Sequence, residues 1–396
     1  MSAAIEMSGT YVQPTYDRSP LVISKGKGSW VWDLTGRRYL DFFPGWAASG
    51  LGHCHPRVMN ALRDQVGKIL HVPNNYFTVA QGRLAEKIIQ TSFPGKVFFA
   101  NSGAEANEAA VKLARRWGGK DRYEIITMAG SFHGRTLAMV SATGQAKVAS
   151  GFEPLPEGFV HVPFNDMEAV RRVFNKKTAA VLLEFIQGEG GIREAEPGFV
   201  RDLAAFCKEK NLLLMADEVQ SGMGRTGKYY AWQHYGVTPD VMTLAKSLGG
   251  GFPIGAMVAG SRVQDTLGPG SHGSTFGGSP LACRAGLAAF EAIEREGLLK
   301  QASLMGEFLK MELEKLKGGS SPVVAVRGRG LMLGVELNSP GAGVVARARE
   351  QGLLINCTQE KILRILPALT VTRGEIKKAV RILTRVLGAQ ETPHAS

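Results

Sequence analysis

Between residues 95 and 260 the chain repeats a simple pattern. Short apolar runs (KVFFA, YEIITM, AAVLLEF, NLLLMADEV, VMTLAK and IGAMVAG) are each closed off by turn residues. Continuous rather than alternating runs of this length predict strands of a parallel sheet buried on both faces. Stretches with helical spacing lie between several of them, notably AEANEAAVKLARRWG and PGFVRDLAAFCKEK. Such alternation predicts an α/β fold with a mostly parallel central sheet. Upstream, GSWVWDLTGRRYLDF at 28–42 reads as two short strands about the turn DLTG, and helical signals cover 56–68 and 78–90. After Pro280 the texture changes. Helical spacing runs over 281–317, strand-like VVAVRGRGLMLGVEL and KILRILP follow, and a final helix is expected over 374–387. The pattern predicts a second, smaller α/β unit.

Composition adds limits rather than a function. At 396 residues the chain is long enough for more than one domain. The first twenty residues lack the apolar core of a signal peptide, and no apolar run approaches a membrane span. The four cysteines, Cys54, Cys207, Cys283 and Cys357, show neither a C-x-x-C pair nor metal-ligand spacing. They read as reduced thiols of a cytoplasmic protein. The formal charge of +12 is spread along the chain in single residues and short pairs such as Arg115-Arg116. No basic tract interleaved with aromatics points to nucleic acid.

Candidate chemistry gathers at the ends of the predicted strands. In FFANSGAEANEAAVKLA, Ser102 and Glu105 have the spacing of a capping box, and Gly103 admits close approach of an anion to the backbone. A helix start of this kind can bind phosphate, or can simply stabilise the helix. AGSFHGRT places Phe132, His133 and Arg135 in a loop, where an aromatic ring and an arginine could stack on a planar ligand and clamp a carboxylate; an ordinary loop with an exposed arginine fits locally as well. LLEFIQGEGGI sets Glu184 and Glu189 just beyond another strand, and paired carboxylates can serve acid–base chemistry or remain solvated. Asp217 closes the strongly apolar NLLLMADEV, where a carboxylate needs a cation or a protonated ring nitrogen. Lys246 ends VMTLAK and needs a comparable reason to be there. GMGRTGK at 222–228 partly matches two nucleotide-binding patterns, but Tyr229 replaces the required Ser or Thr and no helix pattern follows. Phosphate-suited helix start, aromatic platform, buried acid and buried amine form together the inventory that holds pyridoxal phosphate.

The motifs WDLTGRRYLDF, LGHCHP, NSGAEANEAAVKLAR, SFHGRT, QGEGG, ADEVQSGMGRTG, AKSLGGGFPIGA, GSTFGGSPLAC and LRILPALTVT span nearly the whole chain. Their combination resembles the class III, fold-type I aminotransferases, and among them the acetylornithine aminotransferase branch. The resemblance implies an N-terminal segment (1–50) packing with a C-terminal small domain (286–396) about a large pyridoxal-phosphate-binding domain (51–285). It implies Lys246 as the Schiff-base lysine, Asp217 as partner of the pyridine nitrogen, and Val219, Gln220 and Phe132 about the ring. Ser102, Gly103 and Ala104 would hold the phosphate from one subunit of a homodimer, and Ser274 and Thr275 from the other. Arg135 resembles the clamp for the distant carboxylate and Arg364 the arginine for the α-carboxylate of glutamate and 2-oxoglutarate, with Glu189 as its gate. Trp46 and Phe77 stand where the ornithine-specific branch would offer tyrosines, which favours an acylated amine such as N2-acetylornithine. Succinylornithine, N-succinyl-diaminopimelate, ornithine and 4-aminobutyrate are the other donors the resemblance allows.

Overall fold

The computed structural model describes residues 2–388. Its centre is a seven-stranded sheet in the order 95–100, 255–260, 241–244, 213–217, 178–183, 124–128, 159–162. Its strands are parallel except Gly255–Gly260, which runs antiparallel to both neighbours. That exception corrects the expectation for IGAMVAG. The link from Leu244 to Gly255 holds only a single turn of 3₁₀-helix at Lys246–Gly249, and a parallel return needs a longer crossover.

Both faces of this sheet are covered, as continuous apolar strands require. Along Thr178–Leu183 all six residues are buried, with Ala180 and Leu182 facing the Gly103–Gly118 helix cluster and Val181 and Leu183 the opposite one. The second cluster also takes in Phe199, Leu203 and Phe206 of the Pro197–Glu209 helix and most of the C-terminal apolar residues.

The expected 281–317 helical region is two helices, Pro280–Arg295 and Leu298–Glu314, broken at Gly297 in the left-handed conformation. Beyond them Val323–Arg329, Met332–Leu337, Ile362–Ile365 and Asn356–Thr358 form an antiparallel sheet in that order. The strands expected over 28–42 are Trp30–Asp33 and Arg38–Asp41. They join Ile23–Lys27, and Leu353–Leu354 adds parallel to Leu40–Asp41. Thus residues 23–41 and 353–354, far apart in the chain, share a sheet. The sequence pattern did not foreshadow the helix at Ser2–Tyr11, which carries no strong apolar stripe. The final helix, Arg373–Gly388, matches expectation, whereas the end of the 286–396 segment beyond residue 388 lies outside the described residues. No helix among the described residues is long and apolar enough to cross a membrane.

Candidate active site

At the carboxyl ends of the parallel strands lies a cavity of about 410 Å³, where ligands of open α/β sheets bind. Its first wall is the start of the Gly103–Gly118 helix. Ser102 Oγ accepts from Glu105 N at 3.2 Å, as a cap should. The return bond of a capping box is displaced by one residue. Glu105 Oε2 accepts from Asn101 N at 3.0 Å and from Asn101 Nδ2 at 2.9 Å. At the first two helical positions Gly103 and Ala104 keep backbone N–H groups with no intrahelical acceptor. A Cβ on Gly103 would sit 2.7 Å from Val219 Cγ1, so this wall tolerates only glycine without displacing Val219.

Asp217 closes the Leu213–Asp217 strand at 3% exposure, and three groups hydrogen-bond to it. Oδ1 accepts from Val219 N at 3.0 Å; Oδ2 accepts from Asn107 Nδ2 at 2.8 Å and lies 2.8 Å from His133 Nδ1. Asn107 is itself set by Thr243, whose hydroxyl donates to its Oδ1 at 2.6 Å. Asn107 carried a readable signal that sequence reasoning passed over: it is a polar residue on the apolar face of an alanine-rich helix. His133 was noted in its loop without a role.

Lys246 follows the Val241–Leu244 strand with φ at +47°, a left-handed conformation strained for lysine by about 1–3 kcal/mol. The residues that follow hold it there. The Ser247 hydroxyl donates to Ala47 O at 2.6 Å, and Gly250 and Gly251 continue with positive φ. The amine lines the cavity and has no ion-pair partner among the described residues. Burial lowers its pKa below the ordinary lysine range, and the negative charges of Glu189, Asp217 and Glu184 only partly offset this. Glu184 shows the converse effect. Burial and then the charge of Asp217 push its carboxyl up to about 7, although it accepts from Phe132 N and Gly188 N at 2.9 Å each.

Glu189 lines the cavity and pairs with Arg364 at 2.5 Å; Arg364, 1% exposed, does not line it. The Arg364 guanidinium lies 4.7 Å over the Phe43 ring, and Trp46 packs edge-on against Phe43 at 5.6 Å. Arg135 lines the cavity and lies 5.6 Å over Phe132, which lines it with Val219 and Gln220. Trp46, Phe77, Ser274 and Thr275 are absent from this chain's lining. Ser274 Oγ lies 3.2 Å from Asn101 Nδ2 beside the helix start, Thr275 is exposed, and Phe77 projects fully into solvent. GMGRTGK forms no phosphate loop. Arg225 is buried in it and donates to Pro367 O and to Leu331 O.

These residues fit pyridoxal phosphate. The unclaimed N–H pair at Gly103 and Ala104 suits a phosphate, and the buried Gln220 Oε1 has no partner among the described residues. Asp217 is an acid whose neighbours all leave it able to face a ring cation, and Lys246 is an unpaired amine for an aldehyde.

The family profile of the class-III aminotransferases matches residues 11–387. The acetylornithine aminotransferase of Caldanaerobacter subterraneus subsp. tengcongensis is 49% identical over 95% of this chain and 97% of its own length. That of Methanothermobacter thermautotrophicus is 46% identical over 97% and 98%. Among solved structures, ornithine aminotransferase from Toxoplasma gondii ME49 superposes with a TM-score of 0.94 at 33% identity, covering 98% of this chain and 94% of that one. Acetylornithine aminotransferase from Elizabethkingia anophelis gives 0.87 at 33%, covering 98% of each. With the cavity and these likenesses agreeing from one end of the chain to the other, the protein belongs to the class-III aminotransferases, the pyridoxal-phosphate-dependent enzymes of fold type I.

Proposed function

We propose that this chain transfers the δ-amino group of N2-acetylornithine to 2-oxoglutarate, giving N-acetylglutamate semialdehyde and glutamate, a step of arginine biosynthesis. The observation that carries the reading is the Glu189–Arg364 pair beside Lys246. An enzyme that uses two donors in turn must bind one whose reacting carbon bears a carboxylate and one whose reacting carbon does not. An arginine with a movable counter-charge serves both. The names of the relatives at 46–49% identity support the acylated donor. So does Trp46, an apolar body near the Phe43–Arg364 stack in place of a hydroxyl.

Ser102, Gly103 and Ala104 bind the cofactor phosphate through the helix start, and Ser274 and Thr275 serve the site of a second copy. Phe132, Val219 and Gln220 orient the ring. Asp217 holds a proton at the ring nitrogen, because a fixed negative charge favours the cation. When bound, pyridoxal phosphate supplies an aldehyde that takes up the amino group and a ring that spreads the charge of the deprotonated carbon. Lys246, whose charged form is disfavoured by burial, would take a proton from the substrate's amine-bearing carbon and return it on the other side of the transfer. Arg135 grips the carboxylate farthest from the reacting carbon, and Arg364 grips the nearer one when Glu189 swings away. The reading includes the three-segment division of the chain, supported by the sheet that residues 38–41 share with 353–354. It also includes a cytoplasmic homodimer.

Single-turnover reactions of the holoenzyme with acetylornithine, succinylornithine, ornithine and 4-aminobutyrate test the donor. Acetylornithine should be fastest, and equal or faster turnover of free ornithine overturns the assignment.

A further inference from the structure

One three-residue strand holds both members of the Glu189–Arg364 pair. In the antiparallel pairing of Asn356–Thr358 with Ile362–Ile365, Asn356 lies directly opposite Arg364. Its Oδ1 accepts from Arg364 Nε at 2.9 Å and from Nη2 at 2.6 Å. Arginine only donates, so the amide must present its oxygen here. Two residues on, and therefore on the same face of the strand, Thr358 Oγ1 donates to the backbone carbonyl of Glu189 at 2.7 Å. Gln359 Nε2 adds a second bond to that carbonyl at 3.0 Å, and Arg327 Nε holds Gly191 O at 2.8 Å. The backbone of the Glu189 loop is thus pinned to the same sheet that carries Arg364. The Glu189 side chain, bonded to Arg364, is the part of the loop through which the pair can open.

The character of the Asn356 contact matters as much as its position. It occupies two donors of a guanidinium that is 1% exposed, yet it brings no charge. Among the described residues, the Arg364 cation is therefore ion-paired with Glu189 alone. Once Glu189 departs, the cation must be answered by something else, and a substrate carboxylate does so with charge-assisted bonds. A carboxylate at position 356 would be a permanent counter-charge and would remove that demand.

Resting on the two-donor reading above, we propose that Asn356 and Thr358 are the positioning residues of the switch. Asn356 fixes the Arg364 fork while leaving its charge switchable, and Thr358 fixes the loop from which Glu189 swings. Asn356 thereby sets the preference between glutamate and the δ-amine donor.

The test is single-turnover kinetics of each holoenzyme with glutamate and, separately, with N2-acetylornithine. Asn356→Asp should lower kcat/KM for glutamate roughly ten- to a hundredfold, mainly through KM, the worth of a lost charge-assisted hydrogen bond. The ratio of glutamate to acetylornithine reactivity should fall with it. Asn356→Ser, neutral but one bond too short to hold the fork, adds no counter-charge and should lower that ratio less than Asn356→Asp does. Thr358→Val weakens the paired state alone and should raise the ratio roughly fivefold, the worth of one neutral hydrogen bond. Both half-reactions falling by one common factor in Asn356→Asp, or a ratio unmoved in Thr358→Val, overturns the proposal. If wild type reacts with glutamate and not with acetylornithine, the substrate reading fails instead, and the glutamate KM of Asn356→Asp against Asn356→Ser decides the role of Asn356.

Discussion

At the scale of single residues, the cavity sets an amine and two carboxyls in mutual tension. Burial lowers the pKa of the Lys246 amine, and on the proposed reading Lys246→Ala should abolish covalent capture of the cofactor. Borohydride reduction followed by mass spectrometry checks this, since wild type should carry the added mass at Lys246 and the variant should carry none. Glu184 provides a pH prediction whose sign follows from its surroundings. Its carboxyl is raised from 4.5 to about 7, so between those values the folded chain holds a proton that the unfolded chain has released. The unfolded state binds fewer protons there, and stability falls as pH rises through that window. Glu218 adds to the same trend, being raised to about 7 chiefly by burial. Glu184→Gln removes one of the two contributions. Histidines with lowered pKa values, His234 above all, slope the other way, so the readout is the difference: in thermal melts of the cofactor-free protein from about pH 5 to pH 8, the variant should gain on wild type as pH rises. An identical slope in both would mean that Glu184 titrates normally.

At the scale of elements, glycines mark where backbones touch. In the Leu298–Glu314 helix a Cβ on Gly306 would lie 2.3 Å from Gly330 O, and Gly330 in turn rests on Arg225 and Thr226 with φ at +56°. This helix therefore packs directly on the turn that joins Val323–Arg329 to Met332–Leu337. Backbone cannot yield as a side chain end can, so Gly306→Ala should cost about 1–3 kcal/mol in urea unfolding. Gly103 differs because its close neighbour is the Val219 side chain. Gly103→Ala should leave the helix intact and push Val219 into the cavity. Cofactor affinity should fall roughly tenfold, the low end of what overpacking costs, measured by titrating the apoenzyme with pyridoxal phosphate.

For the whole molecule, the homodimer proposed above would bury the exposed face around residues 69–77 and 276. Leu70, Tyr76, Phe77 and Phe276 all project into solvent, and Phe276 lies 5.0 Å from His71. Asn74 ties the two segments together by donating to Ser274 O at 3.1 Å and Gly277 O at 2.9 Å. An aromatic patch continuous with Ser274 and Thr275 is what a shared-site homodimer would bury. Phe77→Glu should shift the protein toward monomer in sedimentation. Subunit complementation offers a sharper check. Lys246→Ala and Thr275→Glu chains, each inactive alone, should recover about a quarter of wild-type activity after unfolding and refolding together, because half the random dimers are hybrids with one intact site. No recovery would mean that each site is built from one chain.

Much of this was legible in the residues themselves. The strands 95–100, 124–128, 178–183, 213–217 and 241–244, the capped start at Ser102, and a lysine and an aspartate at strand ends follow from local apolar patterning and turn chemistry. Tertiary structure decided the rest. It reversed the direction of Gly255–Gly260, which depends on how the chain returns and not on its own apolar content. It also brought Asn107, His133 and Thr243 to Asp217, and Asn356 and Thr358 to the two sides of one ion pair. A local pattern reports which face of an element is buried. It carries no information on which distant polar group waits there, and in this protein those distant partners orient the acid, the arginine and the glutamate of the site.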